Sequence, residues 1–475
     1  MNILFAASEA VPYAASGGLG DVIGSLPKAI AERGYNCAVV IPLYKSITDE
    51  MRLHMDFVAN ITVDVSWRKQ YCGILKAKKN GITYYFIDNE YYFKREGMYG
   101  FYDDCERFVF FARAVLEMIK HIGFKPDIIS CNDWQTALIP VYYRLYYKYQ
   151  QGYDNLKTAF TIHNIEYQGK YGMEVLNELM GIPPYNAGLL EYDGYVNMLK
   201  GAIETADKII TVSPTYAKEL LDPWYAHGLD RILVTKQEYM TGILNGIDMD
   251  MYNPEIDPYI ACNYSQNDVS GKDMCKKALL SELDLSDDDS AVIGIVTRMV
   301  KHKGIDLIRC VFEQVVEKGM KFAILGSGER IYEEFFIEMA RRYPDRVSVT
   351  THFNPELARK IYSGSDMFLM PSQSEPCGLA QLIAMRYGTI PVVRKTGGLK
   401  DTVRDNGGVD GNGYTFLTYN AGDMLDALYR AKADYDNKPK WNELVKRAIS
   451  CDYSWEKSAK TYIDMFEDMI IDNNS

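Results

Sequence analysis

Short apolar runs alternate with helical patterns along this chain, and the alternation repeats in two halves. In the first half, the runs predicted as strands are 2–7, 37–41, 127–130, 158–162 and 208–212. In the second half, they are 291–296, 322–325, 347–350, 367–370 and 389–393. Strands that alternate with helices predict parallel sheets. The expected fold class is therefore α/β, with two doubly wound parallel-sheet domains.

The length also favours two domains. The chain has 475 residues, whereas single hydrophobic cores stop growing at roughly 250–300 residues. The stretch 242–258 is rich in Gly, Asn, Asp and Pro and is predicted to be a hinge, while the polar stretch 263–272 is expected to be a surface loop. The predicted domains are 1–241, 242–455 and a C-terminal helical segment at 456–475.

Composition and charge argue against several classes of protein. The net charge of −12 disfavours a nucleic-acid or anionic-membrane surface, because both require clustered basic residues. The nine cysteines show neither metal-ligand spacing nor a disulfide framework, which favours a reducing cytoplasm. No stretch approaches the ~20 apolar residues of a membrane span. The first residues are interpreted as a β-strand rather than a signal peptide.

One carboxylate beside two glycine-rich turns marks a candidate ligand site. Glu375 and Gly378 lie between the predicted strand 367–370 and a helix predicted over 379–387. Open α/β sheets bind ligands at the carboxyl ends of their strands. After the next strand, residues 396–398 present amides at the start of a second helix, which is a favourable anion site. The two loops together predict a site for a sugar and a pyrophosphate.

These residues resemble the donor site of bacterial glycogen synthases and plant starch synthases, which are retaining glycosyltransferases with the GT-B fold. Other motifs fall in the order and spacing of that family: Ser8-Glu9, Gly17-Gly-Leu-Gly-Asp21, Asn132-Asp-Trp134, Thr161-Ile-His-Asn164, Thr211-Val-Ser213, 242–248, Arg298 with Lys303, and Gly326-Ser-Gly328. The resemblance runs from residue 1 to about residue 455. It implies two Rossmann-like domains facing a cleft, with the C-terminal helix packed on the first domain.

The resemblance also implies a reaction. A synthase of this family transfers glucose from ADP-glucose to the non-reducing end of an α-1,4-glucan with retention of configuration, so these two molecules are the implied partners. No metal or other cofactor is implied, since cations of the chain are expected to carry the diphosphate charge. Two alternatives stay open: another retaining GT-B transferase that uses UDP-glucose, and a non-catalytic glucan-binding scaffold.

Contacts to the donor are predicted mainly in the second half. A guanidinium fork and an ammonium are suited to bracket a diphosphate, which is the role predicted for Arg298 and Lys303, although such a pair alone is usually a solvated surface feature. Glu375 is predicted to accept hydrogen bonds from sugar hydroxyls, beside the amides of the residues that follow it. The predicted donor-binding residues are Ser16, Gly17, Gly18, Asn164, Asn245, Cys377, Gly378, Leu379, Thr396, Gly397 and Gly398.

In the first half, the resemblance assigns His163 and Asp133 to catalysis. It implies that His163 contacts O6 of the glucose and that its backbone carbonyl faces the anomeric centre, which favours front-face attack over an enzyme nucleophile. Asp133 resembles a family carboxylate near the acceptor, while the alternative role is the N-cap of the following helix. Tyr99 and Trp134 are predicted to contact the sugar or the acceptor.

The chain departs from the family pattern at two positions. Ala15 stands where the family has a lysine that reaches the nucleotide phosphates. One cation is therefore missing before the glycine loop 17–21, whose amides are expected to point at the diphosphate. Ile383 stands where many retaining GT-B enzymes have a second glutamate.

Two other patterns have alternative interpretations. The tyrosine-rich stretch 142–149 is either a glucan-holding surface or an amphipathic helix with partly buried tyrosines. The acidic groups at 248–250 and 287–289 superficially resemble a metal motif of another glycosyltransferase fold, but they lie in the predicted hinge and in a polar turn. No metal site is expected at either.

Overall fold

The computed structural model describes residues 1–352, 354–408 and 410–471. The strands in these residues are β1 (Asn2–Ala6), β2 (Asn36–Pro42), β3 (Asp56–Val65), β4 (Arg68–Lys79), β5 (Ile82–Asp88), β6 (Ile128–Asn132), β7 (Lys157–Ile162), β8 (Lys170–Tyr171), β9 (Glu191–Tyr192), β10 (Tyr195–Asn197), β11 (Lys208–Thr211), β12 (Met240–Gly242), β13 (Val292–Val296), β14 (Lys321–Leu325), β15 (Val347–Thr350), β16 (Met367–Met370), β17 (Ile390–Arg394) and β18 (Tyr414–Phe416). The α-helices are α1 (Gly18–Ala31), α2 (Asp49–Arg52), α3 (Glu90–Phe93), α4 (Asp104–Met118), α5 (Leu138–Tyr142), α6 (Val175–Glu178), α7 (Met198–Thr205), α8 (Pro214–Glu219), α9 (Asp230–Thr235), α10 (Ser270–Glu282), α11 (Ile305–Glu317), α12 (Arg330–Arg342), α13 (Pro355–Gly364), α14 (Ala380–Arg386), α15 (Gly397–Thr402), α16 (Ala421–Tyr435), α17 (Lys438–Ile449) and α18 (Trp455–Ile471).

The chain divides into two compact units. The first contains residues 1–245 and the segment from Trp455 onward, and the second contains residues 246–454. These limits lie a few residues from the boundaries predicted at 241 and 455. Among the described residues, no helix has the length and apolar character needed to cross a membrane.

The first unit is built on a nine-stranded sheet in the order β12-β11-β7-β6-β1-β2-β5-β4-β3. The strands from β12 to β5 pair in parallel. Five of them, β1, β2, β6, β7 and β11, were predicted from their apolar runs, whereas β5 and β12 were not. Helix α1 buries the apolar stripe that begins with Val22 and Ile23, because this spacing places apolar side chains on one face. Trp455 and Phe466 of α18 belong to the same core, so the C-terminal helix is part of this unit.

One end of this sheet is antiparallel, whereas the sequence predicted a purely parallel sheet. β4 pairs antiparallel with both β3 and β5. These strands carry alternating polar residues on an exposed face, so they lack the continuous apolar run of a strand buried on both faces. A small separate sheet contains β8, β10 and β9.

The second unit contains a six-stranded sheet in the order β15-β14-β13-β16-β17-β18, with every pair parallel. The predicted strands of this half are confirmed. The surface-loop prediction for 263–272 is wrong at its end, because α10 begins at Ser270 and Lys272 is buried. The Lys272 ammonium donates to the carbonyls of Ser363 and Tyr387 and to Thr389 Oγ1, and these three acceptors make its burial tolerable.

The tyrosine-rich stretch 142–149 is mostly interior. Tyr142, Tyr143 and Tyr147 are buried, and the Tyr142 hydroxyl donates to the Met180 carbonyl. Among the tyrosines of this stretch, only Tyr149 is strongly exposed. These contacts support the packing interpretation rather than a glucan-holding surface.

Candidate active site

In the first unit, polar residues gather where three neighbouring strands end. β1, β6 and β7 are adjacent in the sheet. Glu9 lies just beyond β1, Asp133 directly follows β6, and His163 directly follows β7. Because the carboxyl ends of parallel strands share one edge, residues distant in sequence meet there.

The Asp133 carboxylate holds the end of β7. Its Oδ1 accepts the backbone N–H groups of His163 at 2.8 Å and Asn164 at 3.4 Å. It makes no capping bond to the turn that follows it, so the N-cap alternative is wrong. Burial raises the pKa of Asp133 to about 7, and the two backbone hydrogen bonds oppose that rise. Asp133 also has φ +56° and ψ −180°, a sparsely populated conformation of the kind found at functional sites.

The His163 ring is neutral and held in one tautomer. Asn132 donates its Nδ2 to the carbonyls of Ala6 and Ser130, both at 3.1 Å, so its Oδ1 is the atom that faces the ring. His163 Nε2 lies 2.9 Å from that oxygen and therefore donates to it. Burial lowers the pKa of His163 to about 3, which leaves Nδ1 as an acceptor at neutral pH.

Glu9 organises the glycine loop, a role that the sequence prediction missed. Its buried carboxylate accepts the N–H groups of Ser16 and Gly17, the Ser16 hydroxyl at 2.6 Å and the Tyr99 hydroxyl at 2.6 Å. Tyr99 also lies 2.7 Å from Ser8 Oγ. The Gly17 amide, which was expected to point at a diphosphate, is thus used within the loop, as is the amide of Ser16 before it. The signal for Glu9 is an acidic residue placed three positions beyond an almost fully buried strand.

The remaining predicted residues of the first unit differ in their surroundings. Gly18 begins α1, and Asn164 Oδ1 accepts the Glu166 N–H in a tight turn. The Trp134 ring packs edge-on against Phe108 at 5.1 Å, so only part of it is open to a ligand. Asn245 is buried, and its Oδ1 has no hydrogen-bond partner within the described residues.

In the second unit, Lys303 and Glu375 form a partly buried ion pair. Lys303 Nζ lies 2.9 Å from Glu375 Oε1 and 2.7 Å from Oε2, and Ser372 Oγ donates to Oε2 at 2.9 Å. The side chains are 18% and 9% exposed. Lys303 was predicted to face phosphate alone, so its pairing with Glu375 is a new contact. Ser372 was not predicted, although it lies two residues beyond β16, at a ligand-binding edge.

Two close backbone approaches position this pair. Gly304 has φ +75°, and a Cβ there would lie 2.2 Å from the Pro371 carbonyl oxygen. Gly397 has φ +44°, and a Cβ there would lie 1.9 Å from the Glu375 carbonyl oxygen. Only glycine tolerates both the conformation and the contact, so these residues bring Lys303 and α15 against the Glu375 loop.

The other predicted donor residues surround this pair. Cys377 is buried, and Gly378 and Leu379 directly precede α14. The Gly398 N–H donates to the Glu375 carbonyl at 3.1 Å, and the Thr396 N–H donates to the Arg394 carbonyl. These two amides thus hold the loops together, while anion binding at residues 396–398 stays a prediction.

Arg298 provides an open cation in the second unit. It lies two residues beyond β13 and is exposed. Within the described part of the chain, its guanidinium has no ion-pair partner. It therefore remains available to an anionic ligand.

The acidic groups show no metal-binding arrangement. Across residues 1–352, 354–408 and 410–471, no cluster of three His, Cys, Asp or Glu side chains could hold a metal ion. Asp248 Oδ1 accepts the N–H groups of Asp250 and Met251, and Asp288 pairs with Lys321 at 2.6 Å. Both acids thus have structural partners, while the independence of the reaction from metal stays a prediction.

Known proteins similar to this chain are glycogen and starch synthases, and the similarity extends over nearly its whole length. Residues 2–235 match the family model described as the starch synthase catalytic domain, and residues 280–448 match glycosyl transferases group 1. Glycogen synthases of Anoxybacillus flavithermus and Alkaliphilus metalliredigens are each 46% identical, with 99% of this chain aligned to 98% and 100% of theirs.

Solved structures give the same result. The catalytic domain of starch synthase IV from Arabidopsis thaliana, solved with ADP and acarbose, aligns with a TM-score of 0.91 and 34% identity over 99% of both chains. A sucrose-phosphate synthase from Thermosynechococcus elongatus aligns over 99% of both chains with a TM-score of 0.61 and 16% identity, which supports the fold alone. Two parallel-sheet domains with polar groups at their carboxyl edges define a glycosyltransferase of the GT-B class. The chain belongs to the glycogen and starch synthase family and has that family's glucosyl-transferring activity.

Proposed function

We propose that this enzyme transfers glucose from ADP-glucose to the non-reducing end of an α-1,4-glucan with retention of configuration. The observation that carries the proposal is the similarity, over 99% of both chains, to a starch synthase solved with ADP and acarbose. A nucleotide sugar and a glucan are therefore the substrate classes expected here. The nine cysteines form no disulfide, which supports a reducing cytoplasm as the location.

The second unit supplies groups suited to the donor. A carboxylate offers about four acceptor positions, and Glu375 uses three of them on Lys303 and Ser372. One position on Oε1 remains to accept a sugar hydroxyl. An ammonium has three N–H donors, so Lys303 retains one for a phosphate oxygen. With Arg298 beside the leaving diphosphate, the two cations stabilise its charge without a metal ion.

The first unit supplies groups suited to the glucose and the acceptor. The neutral His163 ring offers Nδ1 to a sugar hydroxyl. Asp133 fixes the backbone at His163 and lies where an acceptor hydroxyl is expected. No carboxylate is assigned as a nucleophile, so the acceptor attacks from the same face as the leaving group, and the departing phosphate takes the acceptor proton.

The proposal is tested by measuring nucleoside diphosphate release from ADP-glucose and from UDP-glucose, each with and without glycogen. Glycogen-dependent release of ADP is expected. Release from UDP-glucose only would assign a different donor, and glycogen binding without release from either donor would indicate a scaffold.

Replacing Ala15 by lysine (Ala15→Lys) is expected to raise kcat/KM for ADP-glucose about tenfold. The residue is exposed beside the glycine loop, and a hydrogen bond to a charged group contributes roughly 1.5–3 kcal/mol. The matched control is Thr62→Lys, which adds the same charge on an exposed position of β3. If both variants match the wild type, the glycine loop does not approach the phosphates in this enzyme.

A further inference from the structure

Gln381, in the first turn of α14, has a fully buried side-chain amide that takes no part in the proposed mechanism. Its Nε2 donates to the carbonyl of Cys377 at 3.1 Å and to the carbonyl of Gly378 at 3.0 Å. These two acceptors determine which end of the amide is nitrogen, because an oxygen in its place would face two carbonyl oxygens. A side chain of α14 thus holds two consecutive carbonyls of the loop that begins at Glu375.

The two hydrogen bonds determine the direction of the next two backbone N–H groups. Both peptide bonds are trans, and in a trans peptide the carbonyl and the N–H point in opposite directions. The N–H groups of Gly378 and Leu379 therefore point away from Gln381. Within the described part of the chain, neither N–H donates to another group of the protein, and both residues are half-buried. Both N–H groups are thus available to a ligand.

The backbone at these N–H groups has the shape of an anion-binding turn. Gly378 has φ +72°, in the left-handed region, whereas Leu379 has φ −110° and ψ −29°, in the right-handed region. Neighbouring residues of opposite hand direct successive N–H groups into one concavity, which suits an anion. A Cβ on Gly378 would lie 2.5 Å from Gln381 Oε1, so the loop passes this side chain closely.

Packing alone does not account for an amide at this position. Among the described residues, Gln381 Oε1 is buried without a hydrogen-bond partner, and an unpaired buried polar atom lowers the stability of the fold. A methionine side chain has a similar length and would fill the space without that cost. The donor function of Nε2 is therefore the property that distinguishes glutamine here.

Gln381 also joins the two loops that meet at Glu375. Its Nε2 lies 3.3 Å from Thr402 Oγ1, and that hydroxyl donates to the Gly398 carbonyl at 2.7 Å. The Gly398 N–H in turn donates to the Glu375 carbonyl at 3.1 Å. One side chain thus connects the loop before α14 with α15.

We propose that Gln381 is a positioning residue that directs the N–H groups of Gly378 and Leu379 at the phosphate attached to the glucose. The inference rests on the proposed function, because the nucleotide sugar is the donor assigned there. Glu375 is expected to bind the glucose, and Gly378 follows it by three residues, so the phosphate next to the glucose is the one within reach. Donors fixed before the reaction stabilise the charge that develops on this phosphate without reorganisation.

The test is Gln381→Met, which keeps the length of the side chain and removes its donor. The Kd for ADP is expected to rise about tenfold, while the Kd for AMP, which lacks the terminal phosphate, stays within about threefold of the wild type. The KM for ADP-glucose should rise and kcat should fall, while the KM for glycogen is retained. Calorimetric titration measures the two Kd values, and steady-state ADP release measures the kinetic constants.

Two further variants separate positioning from stability. Asn412→Leu is the matched control, because Asn412 is fully buried in the same unit and its Nδ2 donates to the Thr402 carbonyl at 3.0 Å. It should lose as much resistance to urea as Gln381→Met without a change in the Kd for ADP. Gln381→Asn keeps an amide but withdraws it by one methylene, so it should show the loss for ADP if the methionine variant does not fold. An equal loss for ADP and AMP, or a loss no larger than that of the control, would overturn the positioning role.

The titrations and the transfer assay test different statements. Glycogen-dependent release of ADP by the wild type decides the proposed function. If the wild type uses UDP-glucose instead, the titrations are made with UDP and UMP, and a loss confined to UDP still supports the positioning role. A wild type that binds a nucleoside diphosphate but transfers no glucose would overturn the proposed function alone.

Discussion

Replacing Glu375 by glutamine (Glu375→Gln) is expected to lower kcat about 10²–10³-fold. The Glu375 carboxylate sets the position of the Lys303 ammonium with two contacts of 2.7 and 2.9 Å. A glutamine amide has nearly the same shape but carries no charge, so it cannot hold the ammonium where the leaving phosphate needs it. Single-turnover and steady-state measurements of ADP release give the effect on kcat and on KM separately.

Loss of stability must be separated from loss of chemistry in this variant. Lys303 remains 18% exposed in the wild type, so water partly replaces the missing carboxylate, and the free energy of unfolding is expected to fall by about 1–3 kcal/mol. The control is Asp288→Asn, which removes the carboxylate paired with the buried Lys321 of the same unit. Its stability should fall similarly while kcat is retained. A kcat for Glu375→Gln within about threefold of wild type would remove Glu375 from the proposed mechanism.

The parallel sheets were predictable because their strands are buried on both faces. β1, β13 and β16 read as continuous apolar runs, and their observed limits differ little from the predicted ones. β3 and β4 were not predicted, because one face of each is exposed and their sequences resemble polar loops. Local patterns thus identify the centre of a sheet better than its edge.

The site was predictable in its residues more than in its contacts. A polar side chain directly after a buried strand marks the ligand edge, which is why Asp133 and His163 were identified. The contacts depend on loops that bring together residues distant in the sequence. Lys303 and Glu375, for example, are 72 residues apart. The N–H groups of Ser16 and Gly17 were placed at a ligand site because the sequence does not show whether a backbone N–H is free. In the structure both donate to the Glu9 carboxylate.

Replacing Asp133 by asparagine (Asp133→Asn) is expected to abolish a pH-dependent step in the activity. Burial raises the pKa of Asp133 to about 7, so half of the free enzyme carries a protonated carboxyl at that pH. The ionised form accepts the His163 and Asn164 amides more strongly and is the form expected to receive an acceptor hydroxyl. The kcat/KM of the wild type should therefore rise with pH, with a midpoint near 7, and this limb should be absent from the variant.

Stability should change in the opposite direction. The folded-state pKa of Asp133 lies above its ordinary value of 3.8, so its favourable contribution is complete below about pH 4 and is lost as the pH rises through 7. The wild type should lose this contribution over that window, and Asp133→Asn should not. Unfolding by urea at several pH values measures the difference between the two proteins.

Two other titratable groups, His163 and Asp21, test whether the rise of kcat/KM with pH is due to Asp133. His163 has its pKa lowered to about 3 and stays neutral throughout the window, so it cannot produce a limb near 7. Desolvation and the nearby Glu9 charge raise the pKa of Asp21 to about 6, so Asp21→Asn is the necessary comparison. A limb that persists in Asp133→Asn but disappears in Asp21→Asn would transfer the pH dependence to the glycine loop. A limb lost only in Asp133→Asn, together with the opposite trend in stability, would show that the enzyme retains a desolvated carboxylate at the end of β6 for activity despite its cost to folding.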